Sequence, residues 1–237
     1  MMAEKEALSA GEQHKLIAML SLKAPSAPDA APRPPLDLVI AADRSGSMHG
    51  EKIQLMRQTL DLLVKRSGLG AEDRVSLVSF DTHVKLEMPL ERMDATGRAK
   101  AEAVVSSLRP GSTTNLSGGA LKAIDVLDAS AITSSGTKAE TEKRTRAMLL
   151  FTDGLANEGI RDTTALCAAV RSALCAASNK LNGPVSLFTF GFGSDHNEDC
   201  LRKLANESGT AGQYYYVRTA EVQTSMARTN CFRWRLQ

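Results

Sequence analysis

A doubly wound, mostly parallel α/β sheet with one antiparallel edge strand and helices on both faces is the fold class this sequence predicts. Three observations predict it. Strand-length apolar runs alternate with stretches of helical periodicity along most of the chain, joined by short turns and without internal repeats. Some runs, such as Leu36 to Ile40 and Ala147 to Thr152, are apolar almost continuously, as strands covered on both faces are. Two of them end at an aspartate, Asp43 and Asp153, which places carboxylates at the strand ends where open α/β sheets bind ligands.

Taken in order, residues 1–13 are polar and of mixed charge and read as disordered or loosely helical, whereas His14 to Lys23 fits either an added strand at the sheet's edge or a helical turn, the strand being favoured. Residues 24–35 hold five prolines and read as a linker, so residues 1–35 form an extension, 36–228 the domain proper and 229–237 a tail around Trp234. After the first strand, Ile53, Met56, Leu60, Leu63 and Val64 recur at helical spacing and predict a helix over 50–67, ended by Gly68 and Gly70. Strands over 73–80 and 84–90, separated only by Asp81-Thr-His, predict an antiparallel hairpin, with Pro89 suited to an edge. Helices follow over 94–108, with Asp94 or Thr96 at its cap, and over 115–129. Residues 130–146 read as a solvated loop or a frayed helix end connecting to the strand ending at Asp153. A helix over 163–177, a buried strand over 184–190, a helix continuing through 201–206, a strand over 214–217 and a final helix over 219–228 complete the alternation.

Composition narrows the function classes. Charged residues make up 24% and the net charge is only +2, without a long basic run, so neither a nucleic-acid surface nor a polybasic membrane patch is expected. Aromatic residues are 4%, too few for base-stacking platforms. The apolar run Leu16 to Leu22 is too short and interrupted to cross a bilayer. Cys167, Cys175, Cys200 and Cys231 form no Cys-x-x-Cys pair and the four histidines lack zinc-ligand spacing, so free thiols in a reducing, intracellular and cytoplasmic setting are expected.

The chemistry concentrates in Asp43-Arg-Ser-Gly-Ser47, just past the first strand. Gly46 permits a tight turn that can aim Asp43, Ser45 and Ser47 at one point. A carboxylate and two hydroxyls are hard oxygen ligands, suited to magnesium, manganese or calcium and poorly suited to zinc or copper. Similar features recur downstream. Thr114 lies in the Gly-rich loop Gly111-Ser-Thr-Thr-Asn-Leu-Ser117 that opens a helix, and Asp153 ends the buried run Met148-Leu-Leu-Phe-Thr-Asp153. Each residue also has a plain local use: Ser45, Ser47 and Thr114 as turn or cap residues, Asp153 as an Asx-turn before Gly154.

Together these three separated pieces resemble the von Willebrand factor A (VWA) family and its metal-ion-dependent adhesion site, over residues 36–228. Asp43, Ser45 and Ser47 match its Asp-x-Ser-x-Ser element, Thr114 its loop threonine and Asp153 its distal aspartate. The resemblance implies a Rossmann-like sheet and a Mg2+ (or Mn2+/Ca2+) ion bound directly by the hydroxyls, with the carboxylates acting largely through water. It further implies an open position on the ion for an Asp or Glu presented by a protein partner. Arg44, His49 and Asn115 adjoin the site and are candidate partner contacts, with Asn115 and Asp81 candidates for the outer shell. The proline linker, DLVIAADRSGSM and the GFGSDH turn further resemble the VWA region of plant RING-type ubiquitin ligases of the wavy-growth type, but four scattered cysteines cannot build a RING, which leaves a recruiting role only.

Enzymatic alternatives fare worse. An aspartyl-nucleophile phosphatase needs a second acid two positions after the first, where this chain has Ser45. No Gly-x-Ser-x-Gly elbow or Gly-x-x-x-x-Gly-Lys loop occurs, and Gly191-Phe-Gly lacks the remainder of a dinucleotide fingerprint. A non-catalytic, metal-dependent protein-binding domain is therefore the expectation, with a magnesium-dependent hydrolase as the alternative.

Overall fold

In the computed structural model, which describes residues 2–3, 18–19, 33–66, 68–133, 144–153, 156–209 and 212–217, chain contacts divide the protein into Met1–Arg33 and Pro34–Gln237. In the first unit, Ala18–Met19 is extended, within the stretch expected to add a strand. It pairs antiparallel with Met2–Ala3 in a two-stranded sheet.

The second unit carries β1 (Leu36–Asp43), α1 (Glu51–Arg66), β2 (Arg74–Phe80), β3 (Val84–Arg92), α2 (Ala95–Ser107) and α3 (Leu116–Thr133). It continues with β4 (Thr145–Thr152), α4 (Thr163–Lys180), β5 (Val185–Phe192), α5 (Glu198–Asn206) and β6 (Gln213–Val217). The strands line up in the order β3-β2-β1-β4-β5-β6, all parallel except β3. The three-residue turn after β2 makes that antiparallel exception, and Pro89 sits on the edge strand where the ladder register shifts. The expected final helix over 219–228 and the tail around Trp234 lie outside the described residues.

Period-two alternation along β1 assigns the two faces. Leu38, Ile40 and Ala42 pack with α1 and α2, while Val39 and Ala41 pack with α3, α4 and α5. Both layers are mainly aliphatic, with Phe151 and Phe190 stacked at 4.6 Å in the first. Three helices begin on side-chain caps: Asp94 accepts from Gly97 N at 2.8 Å, Asp162 from Ala165 N at 2.7 Å, and Asn197 from Cys200 N at 3.1 Å. Replacing Asp94 with alanine is expected to lower the unfolding free energy by about 1 kcal/mol. A urea midpoint identical to wild type would show that the α2 cap is dispensable.

Within 130–146, Ser130 still belongs to α3, in line with the helix-end reading of this stretch, while Thr145–Arg146 already belongs to β4. The winding direction reverses between β1 and β4, whose carboxyl ends therefore flank the crevice in which such sheets bind ligands.

Candidate metal centre

Asp43 ends β1 and Asp153 directly follows β4, so adjacent central strands deliver the two aspartates to the same rim. Both are fully buried. The Asp43 Oδ1 accepts from Ser45 N at 2.8 Å and its Oδ2 from the Thr152 hydroxyl at 2.5 Å, which locks the carboxylate between the two strand ends. Burial pushes the Asp43 carboxyl up to about 6 against the pull of those hydrogen bonds, and the neighbouring Asp153 charge adds to the push.

Gly46–Met48 forms a single 3-10 turn in which the Ser45 and Ser47 hydroxyls lie 3.0 Å apart. Ser45 is buried and Ser47 faces solvent. Ser45 precedes this turn without making a side-chain cap bond. The tight turn at Gly46 does not use a left-handed backbone; a Cβ there would stand 3.2 Å from the Ser112 carbonyl oxygen. Close approach of two loops, and not φ, leaves little room for a side chain at that position.

The loop carrying Thr114 is stitched to the first loop by Gly46 N to Ser112 O at 2.6 Å and Gly111 N to Arg44 O at 2.5 Å. A Cβ on Gly111 would overlap the Asp81 carboxylate. Thr114 is buried, its N–H donates to Asn157 Oδ1 at 2.6 Å, and its carbonyl accepts from Asn157 N and Glu158 N at 3.1 Å each. Asn115 Oδ1, not the Thr114 hydroxyl, accepts from Gly118 N at 2.9 Å at the start of α3. Thr113 is engaged elsewhere, its hydroxyl 2.7 Å from that of Thr82. These bonds leave the local capping use of Thr114 unsupported.

Two of the flanking candidates, Arg44 and Asp81, meet each other. Arg44 pairs with Asp81 at 3.0 Å, and Asp81 Oδ1 also accepts from His83 N at 2.8 Å, so this pair holds the first loop against the β2–β3 turn. His49 is solvent-exposed, beyond the 3-10 turn.

Asp153 is the least satisfied of the rim's side chains. Its Oδ1 is buried without a hydrogen-bond partner, while Oδ2 accepts from Lys52 Nζ at 3.3 Å. A carboxylate oxygen left this way costs free energy unless a positive group meets it. Among the described residues no three His, Cys, Asp or Glu side chains cluster as metal ligands, so an ion here would depend on hydroxyls. Two carboxylates, buried or adjoining hydroxyls and one orphaned oxygen fit a hard divalent cation.

Several contributors escaped the sequence reading: Thr152, Asn157, Lys52 and Asp195. Lys52 Nζ reaches Asp195 Oδ1 at 2.8 Å and Oδ2 at 3.0 Å as well as Asp153. Burial alone would lower the pKa of Lys52, but the Asp195 hydrogen bond and the Asp153 charge outweigh it and raise it. A signal was present, since an ammonium in a helix's first turn opposes the macrodipole and needs an anionic reason to be there.

A doubly wound domain with a hydroxyl- and carboxylate-lined rim at its switch point is the class these features define. The chain belongs to the von Willebrand factor type A domain family, whose model matches residues 37–228. That family is known for metal-dependent protein–protein interaction. Among relatives, the chain is 29% identical over 191 residues to inter alpha-trypsin inhibitor heavy chain 4 of Mus musculus, covering 80% of this chain and 19% of that protein. It is 39% identical over 101 residues to the E3 ubiquitin-protein ligase WAV3 of Arabidopsis thaliana, covering 42% of this chain and 13% of the ligase. The chain thus spans about a fifth or less of these relatives' lengths. Its fold is similar to the von Willebrand factor type A structure from Catenulispora acidiphila, at TM-score 0.61 and 18% identity over 78% of this chain and 39% of that one. It is also similar to proximal thread matrix protein 1 from the mussel byssus with a zinc-occupied MIDAS motif, at TM-score 0.56 and 16% identity over 82% of this chain and 44% of that one.

Proposed function

We propose that this chain is a non-catalytic domain that binds a protein partner through a divalent cation held by Ser45, Ser47 and Thr114, with Asp43 and Asp153 as the anionic members of the site. The observation that carries the proposal is the buried, unpartnered Asp153 Oδ1 beside a rim otherwise supplied with hydroxyl oxygens. Magnesium or manganese suits this oxygen set; the zinc found in the mussel protein's site makes the ion's identity a matter for titration. Neutral hydroxyls leave the ion most of its charge, so the ion supplies an electrophilic seat for an acidic side chain of a partner. This chain's residues would hold and orient it: Asp43 by its bonds to Ser45 N and Thr152, Thr114 by its bonds to Asn157.

A hydrolase reading gains nothing from this rim, because the Ser45 position offers only a hydroxyl engaged with Ser47 where a phosphatase would need an acid. The likeness to WAV3 supports partner recruitment as the use of the domain. The free thiols Cys167, Cys175 and Cys200, with that same likeness, support a location inside the cell.

Calorimetric titration with MgCl2 and MnCl2 tests the proposal. Wild type should bind one ion, and Asp43→Ala should lose about 100-fold or more in affinity. Equal binding by both proteins would end the proposal.

A further inference from the structure

Lys52 is the positive charge already placed against the rim. It stands in the first turn of α1, where the helix dipole disfavours an ammonium, yet its Nζ lies 3.3 Å from the fully buried Asp153 and 2.8 Å and 3.0 Å from the two oxygens of Asp195. The turn bearing Asp195 runs close beside this side chain. Gly193 there has φ +79°, and a Cβ on it would come within 2.6 Å of Lys52 Cε. The same turn is tied to the rim by Asn197 N, which donates to the Asp153 carbonyl at 3.2 Å. One ammonium is therefore shared between a buried carboxylate at the rim and an Asp195 carboxylate that is 60% exposed.

Resting on the metal reading above, we infer that Lys52 is a built-in competitor for the cation, setting how tightly a divalent ion binds, and that Asp195 is the group that retains the ammonium when the ion takes Asp153. Two cations cannot both lean on Asp153 at full strength, because their mutual repulsion inside a partly dehydrated rim is large. The shared geometry resolves the conflict without moving the helix: Nζ gives up its longer contact and keeps its two shorter ones. Lys52 thereby acts as an affinity-setting residue, and Asp195, outside the proposed ligand set, acts through it.

The two partners predict opposite outcomes. Removing the ammonium with Lys52→Gln should tighten MnCl2 binding about tenfold, since the ion no longer competes with a fixed charge. Asp195→Asn leaves Asp153 as the ammonium's main anionic partner and should weaken binding several-fold. Lys52→Arg keeps the charge and should show no tightening. Calorimetric titration of the full chain with MnCl2, paired with thermal melts of the ion-free proteins to verify folding, reads all of these. Binding by wild type with no gain in Lys52→Gln, or with a gain in Asp195→Asn, would overturn this inference alone. No binding by wild type or any variant would overturn the metal reading and this inference with it.

Discussion

Replacing Asp37 with alanine is expected to lower the unfolding free energy by about 3–5 kcal/mol, the cost of breaking a buried ion pair from one side. Asp37 is fully buried in β1. Its carboxylate accepts from Arg74 Nε at 2.8 Å and Nη2 at 2.7 Å in a bidentate pair, and from Arg144 Nε at 2.8 Å. Arg74 lies opposite it on β2, and on β4 its register partner is Arg146, which is 1% exposed. One carboxylate thus fastens the central strand to β2 and to the residue leading into β4, and compensates several guanidinium charges at the sheet's amino-terminal edge. Without it, Arg74 and Arg144 lose their shared acceptor while Arg146 stays buried, and the Leu36 and Glu72 carbonyls that remain to Arg144 carry no charge to balance these guanidinium groups. Asp37 and Asp43 are six residues apart on β1, about 20 Å at strand rise, so ion binding by the folded variant should match wild type. Urea unfolding checks the first statement and MnCl2 titration the second. An unfolding free energy within about 1 kcal/mol of wild type would mean that the arginines find other compensation.

Asp37 also shows where sequence reading stops. The run Leu36 to Ile40 is recognisable as a buried strand because most of its side chains are apolar, and the structure extends that strand to Asp43. Nothing local distinguishes Asp37 from a polar residue at a strand's frayed start. Its burial depends on arginines 37 and 107 residues away in the chain. The same holds at the rim. Asp43, Ser45 and Ser47 are legible because they sit within five residues, and Thr114 and Asp153 because each ends or opens an element. Lys52 and Asp195 are 143 positions apart, and their pairing follows only once α1 and the turn after β5 are placed at the same sheet edge. Hydrophobic period reports which face a residue takes, but not which distant charge it meets there. Gly46 and Gly111 were legible as turn residues, yet the Asp81 carboxylate is what excludes a side chain at Gly111, and a neighbouring loop's Ser112 carbonyl crowds Gly46. The strand expected in His14 to Lys23 illustrates the converse limit, since extended character does not specify a partner, and Ala18–Met19 pairs with Met2–Ala3.

The other large effect is on ligand affinity and spares the fold. Asp153→Asn is expected to weaken Mg2+ or Mn2+ binding by about 100-fold or more while changing the ion-free unfolding free energy by no more than about 1 kcal/mol. Two opposed terms of similar size produce that small stability change. Neutralising a fully buried carboxylate with an unpartnered oxygen removes a desolvation cost of several kcal/mol in the ion-free protein. Against this, the contact to Lys52 at 3.3 Å weakens, and an amide nitrogen at the orphaned position would bring a buried donor without an acceptor, worth about 1–3 kcal/mol. Lys52 is not stranded, because it keeps the shorter contacts to Asp195. Ion binding has no such offset: the variant lacks the anionic oxygen that the ion would neutralise. Asp37→Ala and Asp153→Asn should therefore separate cleanly, the first losing stability with affinity intact and the second losing affinity with stability intact. Retained ion affinity in Asp153→Asn would remove the distal aspartate from the site and return it to a structural partner of Lys52.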